Sequence, residues 1–76
     1  MPESIINNRL DKAIKLARKR YIEIISYCEF YFEFYLPHEK TDPDNQQKFT
    51  YMEVYDRLKE RGMLREDNMV WRVILG

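Results

Sequence analysis

The side chains that most often act as nucleophiles or metal ligands are sparse in this chain. It contains one histidine, His38, one cysteine, Cys28, and two serines, Ser4 and Ser26. No second histidine follows His38-Glu39 at the four-residue spacing of a helical zinc site. Cys28 falls in an apolar stretch, where a small thiol packs as a hydrophobic residue. We therefore expect no catalytic residues, no metal site and no cofactor.

Two further groupings could carry chemistry, and both lack the residues that would complete them. Glu29 and Glu33 lie four residues apart, like the carboxylates of di-metal helix bundles, but the Glu-x-x-His motifs of such sites are missing. Gly62 and Gly76 are the only glycines, so a glycine-rich phosphate loop cannot form. The sequence thus predicts a protein that is not an enzyme and works by binding.

The composition predicts one small folded domain over residues 1–76. Apolar residues make up 45% of the chain and aromatic residues 14%, which is too rich for a disordered segment. One cysteine allows no intramolecular disulfide, and the N-terminus lacks the features of a signal peptide, so we expect a cytoplasmic protein. No stretch reaches about 18 uncharged apolar residues, so we expect no membrane partner.

A polar stripe and an apolar heptad together predict one long amphipathic helix over residues 4–36. The polar positions recur every three or four residues, and no Gly or Pro interrupts the segment before Pro37. The apolar seam consists of Leu10, Ile14, Ala17, Tyr21, Ile24, Cys28, Tyr31 and Tyr35. For residues 28–36 a strand remains a second interpretation, because aromatic residues alternate there with a period of two.

The middle of the chain predicts a loop followed by a well-marked helix start. Residues 37–48 contain two prolines and several Asp, Asn and Gln residues, a composition typical of loops and turns. Thr50 as N-cap and Glu53 three residues later form a capping box. With Gly62 as the C-cap, the pattern predicts a capped helix over residues 50–62.

The C-terminal segment predicts a short strand. Residues 65–68 have the composition of a polar turn, and residues 69–75 form a β-branched and aromatic run. The succession of capped helix, Arg-Gly-apolar exit and strand is similar to the end of a winged-helix domain. Here, however, a long aromatic segment replaces the expected short helices, and Gly76 ends the sequence before a second wing strand. We assign the chain to no family and predict a mainly α fold with a minor β component.

The long helix leads to a prediction of self-association. A helix of about 33 residues would measure roughly 50 Å, whereas a compact domain of this size has a diameter of roughly 30 Å. Its apolar side chains would therefore extend beyond what the rest of the chain can cover. The sequence predicts a homodimer with an interface formed by Ile14, Tyr21, Ile24, Cys28, Tyr31 and Tyr35.

Two binding functions follow from these features. The first is a small regulatory protein-interaction module, acting as an adaptor, inhibitor or accessory regulator on a protein target. The aromatic residues fit use in the core or in protein contacts rather than base stacking, since little basic character surrounds most of them. They are Tyr21, Tyr27, Tyr31, Tyr35, Tyr51, Tyr55 and Trp71. The alternative is a nucleic-acid-binding regulator whose N-terminal helix contacts phosphates through Arg9, Lys12, Lys15 and Lys19. The net charge of zero favours the first function.

Overall fold

The computed structural model describes residues 2–44 and 46–76. Its helices and strands, in chain order, are α1 (Pro2–Lys19), β1 (Ile24–Ser26), α2 (residues 27–41), α3 (Tyr51–Glu60), β2 (Leu64–Asp67) and β3 (Val70–Ile74). Helix α2 begins with an α-helical turn at Tyr27–Glu29, continues as a π-helix over Phe30–Tyr35 and ends as an α-helix over Leu36–Thr41. The fold is thus mainly helical with a small sheet, as the sequence predicts.

The three strands form an antiparallel sheet in the order β1–β3–β2. Val73 on the central strand lies opposite Ile25 of β1 and Leu64 of β2. Val73 and Ile25 are buried, so this face of the sheet packs on the helices. The predicted strand at 69–75 is confirmed as β3. The predicted polar turn at 65–68 is wrong for residues 65–67, which belong to β2 and pair with β3, while Asn68 lies in the turn.

The predicted helix over residues 4–36 is also wrong, because α1 ends at Lys19. Tyr21 adopts a left-handed backbone conformation with φ 61°. Its amide donates to the carbonyl of Arg18 at 2.9 Å, and the amide of Ile22 donates to that of Ala17 at 3.1 Å. These two bonds form a Schellman motif, which stops the helix. Glycine usually occupies this left-handed position. Because Tyr21 stands there instead, the sequence pattern did not indicate the end of the helix.

The break lets the chain fold back on itself. The longest dimension of the fold is 35 Å, shorter than the roughly 50 Å of an unbroken helix. After the break, the β-branched residues Ile24 and Ile25 enter β1 and pair with β3, consistent with their preference for strands. The premise of the predicted dimer, a helix longer than its own domain, is therefore removed.

Helix α2 covers residues 28–36, for which the sequence allowed either a helix or a strand. It also extends into the predicted loop at 37–48. Ser26 caps its start, since its Oγ accepts from the amide of Glu29 at 3.3 Å. Buried side chains recur at helical spacing along it: Tyr27, Phe30, Tyr31, Phe34 and Tyr35. The predicted loop at 37–48 therefore begins only after Thr41. The π-helix ends at Tyr35, two residues before Pro37, whose ring would clash with the carbonyl four residues back in a regular α-helix.

Helix α3 confirms the predicted capping box. The Oγ1 of Thr50 accepts from the amide of Glu53 at 3.1 Å, and the Glu53 carboxylate accepts from the amide of Thr50 at 3.0 Å. At the other end Gly62 has φ 71°, and the amide of Met63 donates to the carbonyl of Leu58 at 3.1 Å. A Schellman motif thus ends α3, with Gly62 just past the helix as the sequence predicts.

The connection between α2 and α3 is fastened to α1 by a buried arginine. The guanidinium of Arg9 lies 3.2 Å from Glu39 and 2.9 Å from Asp42, and it also donates to the carbonyls of Asp44 and Gln47. Glu39 in turn accepts hydrogen bonds from the hydroxyl of Tyr35 and the amide of Phe49. This network joins the α2–α3 connection to both α1 and α2.

Candidate functional site

The most distinctive surface feature is an open groove with a volume of about 390 Å³, lined by residues from three parts of the fold. We call it the aromatic groove. The start of α2, the first two turns of α3 and the β2–β3 hairpin supply its walls. The lining residues are Ser26, Tyr27, Cys28, Tyr51, Met52, Tyr55, Met69, Val70 and Trp71. All nine are uncharged, in a chain of which 34% is charged.

Aromatic contacts hold the groove together. The Tyr27 ring lies 4.7 Å from Tyr51 and 5.7 Å from Tyr55, and the Tyr27 hydroxyl donates to the carbonyl of Tyr51 at 2.5 Å. Tyr55 meets Trp71 edge to face, with 5.3 Å between ring centroids, so α3 and the hairpin are joined through these rings. Edge-to-face pairs are a favourable aromatic geometry, and they fix the positions of the groove walls.

Burial of the Tyr27 phenol raises its pKa well above the usual range, with smaller contributions from neighbouring tyrosines and Asp56. Burial likewise raises the pKa of Tyr51. Both phenols therefore stay neutral at physiological pH. The groove presents apolar rings and neutral hydroxyl groups, a surface suited to packing and hydrogen bonding rather than proton transfer.

The hairpin tip places a large apolar side chain in an unfavourable backbone conformation. Asn68 and Met69 both have positive φ, 51° and 65°, as the two-residue turn between antiparallel strands requires. Glycine is the most favourable residue at the second position, whereas Met69 carries a long side chain that is 93% exposed. The Met69 side chain contributes little to the stability of its own fold. Its position at the groove edge makes it available to a binding partner.

The six predicted interface residues fall into two sets. Ile14, Tyr31 and Tyr35 belong to the hydrophobic core, so they pack within the chain itself. Tyr21, Ile24 and Cys28 are exposed, with Tyr21 92% accessible. Of the six, Cys28 lines the aromatic groove, and Tyr31 supports it from beneath through a contact with Tyr51 at 4.8 Å. The continuous seam predicted from the heptad is not present.

The predicted row of nucleic-acid contacts is also divided. Arg9 is 1% exposed and engaged with Glu39 and Asp42, so its guanidinium is not accessible to a phosphate backbone. Lys12, Lys15 and Lys19 are exposed on α1. The sequence pattern did not indicate the burial of Arg9, because its partners lie thirty or more residues away along the chain.

The remaining candidates for chemistry are dispersed. Nδ1 of His38 lies 2.7 Å from the carbonyl of Phe34, to which it donates within α2. Within residues 2–44 and 46–76, no three His, Cys, Asp or Glu side chains are grouped so that they could hold a metal ion. Over the same residues, no helix has the length and apolar character needed to cross a membrane.

The elements follow in the order helix, strand, two helices and hairpin, and β2 at Leu64–Asp67 is the hairpin partner of β3 in the β1–β3–β2 sheet. The chain matches no protein-family model, and searches of curated proteins and of solved structures gave no significant match.

Proposed function

We propose that this protein is a non-enzymatic interaction module that binds a segment of a partner protein in the aromatic groove. The observation that carries the proposal is the uncharged lining of the groove, together with the exposed Met52, Met69 and Trp71 at its walls. Aromatic residues and methionine are enriched in protein interfaces, and methionine adapts its shape to a bound side chain. The fold holds these side chains in place but leaves each of them partly exposed.

The character of α3 supports a protein partner over duplex DNA. Helices that read the DNA major groove contact it through Arg, Lys, Asn or Gln side chains. The exposed residues of α3 at the groove are Tyr51 and Met52, and the neighbouring Glu53 and Asp56 are acidic. With Glu60, Arg57 and Lys59 included, α3 has a net charge of −1, so it offers a phosphate backbone no net attraction.

A selected peptide tests the proposal. Twelve-residue peptides selected from a random library on the immobilised protein are titrated against the free protein, with the fluorescence of Trp71 as the signal. Trp71 is the only tryptophan and lines the groove, so its emission reports on occupancy. We expect saturable quenching or a spectral shift. Failure to select any peptide that changes Trp71 emission would contradict the proposal.

Two matched variants locate the binding surface. Met69→Gly removes a groove side chain, whereas Tyr21→Gly removes a similarly exposed side chain, also at positive φ, outside the groove. We expect Met69→Gly to weaken peptide binding several-fold and Tyr21→Gly to leave it unchanged. Equal effects of the two substitutions would place the binding surface elsewhere.

The basic face of α1 supports a second candidate function, nucleic-acid binding. Lys12, Lys15 and Lys19 are exposed along one side of the helix, and in the described part of the chain none forms an ion pair. Titration with a 20-base-pair duplex at increasing salt separates the two functions. Contacts to three phosphates would make the logarithm of affinity fall with a slope of about −2.7 against the logarithm of salt concentration. The proposed protein-binding function predicts no such binding.

A further inference from the structure

Exposed apolar side chains are concentrated at the aromatic groove. In the part of the chain that the structure describes, eight large apolar side chains are exposed, and five of them line the groove. A sixth adjoins it, since the Phe32 ring lies 6.2 Å from that of Tyr51. We call these six residues the apolar surface: Phe32, Tyr51, Met52, Met69, Val70 and Trp71.

The apolar surface is large enough to form one side of a dimer interface. Its six residues are between 38% and 93% exposed. At about 200 Å² for a fully exposed large residue, together they present roughly 650 Å² to solvent. Two such surfaces in full contact would bury roughly 1,300 Å², which lies within the range of about 1,200–2,000 Å² for specific interfaces. A contiguous apolar patch of this size usually marks an interaction site.

The groove lining carries no charge that would oppose contact between two copies. All nine lining residues are uncharged. Glu53 and Asp56 on α3 line a different cavity, and Asp67 on the hairpin is paired with Arg72 at 3.4 Å. When two grooves meet, their linings therefore place no like charges against each other.

The apolar surface combines a protrusion with a concavity. A two-fold interface brings identical patches together, so such a patch has to be complementary to itself. Met69 projects from the tip of the β2–β3 hairpin and is almost wholly exposed, whereas the groove beside it has a volume of about 390 Å³. Methionine adapts its shape to an irregular apolar cavity. The Met69 side chain of one copy can therefore fill the groove of the other, and the reverse.

We infer that two copies of the chain associate through the aromatic groove, with Met69 of each copy inserted into the groove of the other. The inference rests on the proposed function and adds its regulation: the dimer covers the groove, and a partner segment binds only the monomer. This interface differs from the predicted helical seam, of which Cys28 alone lines the groove. Because the buried area is at the small end of the range, we expect a dissociation constant of about 10 µM.

Two matched variants test the interface by sedimentation equilibrium between about 5 and 500 µM protein. Met69→Asp places a charge on the inserted side chain at both symmetric contacts, so we expect the dissociation constant to rise about 20-fold or more. Tyr21→Asp changes a similarly exposed residue, also at positive φ, outside the groove, and should leave the constant unchanged. Aspartate tolerates the left-handed conformation, so both variants should fold, which circular dichroism checks. An unmodified protein that stays monomeric throughout, or equal constants for the two variants, would overturn the inference.

The reactivity of Cys28 locates the interface on the protein. This thiol is exposed in the single chain and lines the groove, so the dimer should shield it. With excess N-ethylmaleimide, we expect alkylation to be about fivefold slower at about 500 µM protein than at about 5 µM. In the Met69→Asp variant the rate should be nearly the same at both concentrations. A dimer in which Cys28 reacts as fast as in the monomer would place the interface elsewhere and overturn the inference.

A selected peptide separates this inference from the proposed function. Added to the dimer at about 500 µM, a peptide that binds the groove should shift the protein to the monomer. A peptide that binds while the dimer persists would overturn the shared surface. If peptides bind and the free protein is monomeric at every concentration, self-association fails and the protein-binding function stands. If the dimer forms as expected and no peptide is selected, the protein-binding function fails instead.

Discussion

Tyr55 and Trp71 meet edge to face with ring centroids 5.3 Å apart, which couples helix α3 to the β2–β3 hairpin. The contact occupies only one side of each ring, and both residues line the aromatic groove. The groove therefore depends on a tertiary contact between two elements that share no backbone hydrogen-bond ladder. We expect Trp71→Ala to open the groove and abolish peptide binding while the remainder of the core persists. Calorimetry measures peptide binding without relying on Trp71 fluorescence. Unchanged affinity of a folded Trp71→Ala protein would contradict this expectation.

The left-handed conformation of Tyr21 predicts a stabilising substitution. Replacing Tyr21 by Gly removes the steric cost of positive φ and sacrifices little packing, since the side chain is 92% exposed. We expect the free energy of unfolding to rise by about 0.5–1 kcal/mol and the melting temperature by about 2–8 °C. Tyr21→Ala, which keeps a β-carbon at the strained position, is the control and should gain nothing. A Tyr21→Gly variant no more stable than Tyr21→Ala would show that the backbone is not strained there.

Met69 predicts opposite effects on stability and binding. Met69→Gly relieves positive φ at the hairpin tip, so we expect an increase of about 0.5–1 kcal/mol in the free energy of unfolding. The same change removes a side chain from the groove wall and should weaken peptide binding. Chemical denaturation and Trp71 fluorescence measure the two properties on one sample. Stability and affinity moving in the same direction would argue that Met69 serves the fold itself.

The buried Arg9 predicts a large loss of stability when it is removed. Arg9→Leu leaves the Glu39 carboxylate without its cation and frees the carbonyls of Asp44 and Gln47. Breaking a buried ion pair from one side costs about 3–5 kcal/mol, so we expect the variant to be largely unfolded or close to it. Lys12→Ala, an exposed cation on the same helix, should change stability by less than about 0.5 kcal/mol. Urea denaturation compares the two, and similar midpoints would contradict a structural role for Arg9.

Asp42 predicts a specific loss of stability in acid. Hydrogen bonding from the amide of Asp44 and contact with the Arg9 guanidinium lower the pKa of this carboxyl below its usual value of 3.8. A carboxyl with a lowered pKa in the folded state stabilises the fold above about pH 4, and this contribution is lost as pH falls through the folded-state pKa. We expect Asp42→Asn to be less stable than the unmodified protein at pH 6, with the difference shrinking towards about pH 2. A difference that stays constant over this range would contradict the role of the charge.

How much of the fold could be predicted depended on whether each signal was local. The capping box of Thr50 and Glu53 lies within four residues, so the sequence alone located the start of α3 correctly. The end of α1 has no comparable marker, because Tyr21 occupies the position that glycine usually marks. Strand β1 spans three residues and depends on pairing with β3, some fifty residues later. The heptad spacing of apolar residues happens to continue across the end of α1. It therefore predicted one helix over residues 4–36, where the structure has α1 and α2.

The sequence indicated which types of residue the candidate site contains, but not that these residues meet in one place. The sequence indicated core or protein-contact use for seven aromatic residues and did not single out Tyr51, Tyr55 and Trp71, which come from two distant segments. Their convergence into one groove requires the hairpin to fold beside α3, a relationship that only the structure supplies. Cys28 was expected in a buried seam and lies instead at the groove surface, since the helix break rotates it outwards. Conversely, Arg9 looked like part of a basic row because its acidic partners are far away in sequence.

The alkylation rate of Cys28 tests the central claim most directly. This residue is the only cysteine, is exposed and lines the groove, so a bound segment should shield its thiol. With N-ethylmaleimide and a selected peptide at increasing concentration, we predict that the rate falls in proportion to the fraction of protein left unbound. A variant with Cys28→Ser and Asn8→Cys, whose thiol lies on α1, should react at the same rate with and without peptide. A Cys28 rate that stays unchanged when the protein is saturated with peptide would contradict binding in the aromatic groove.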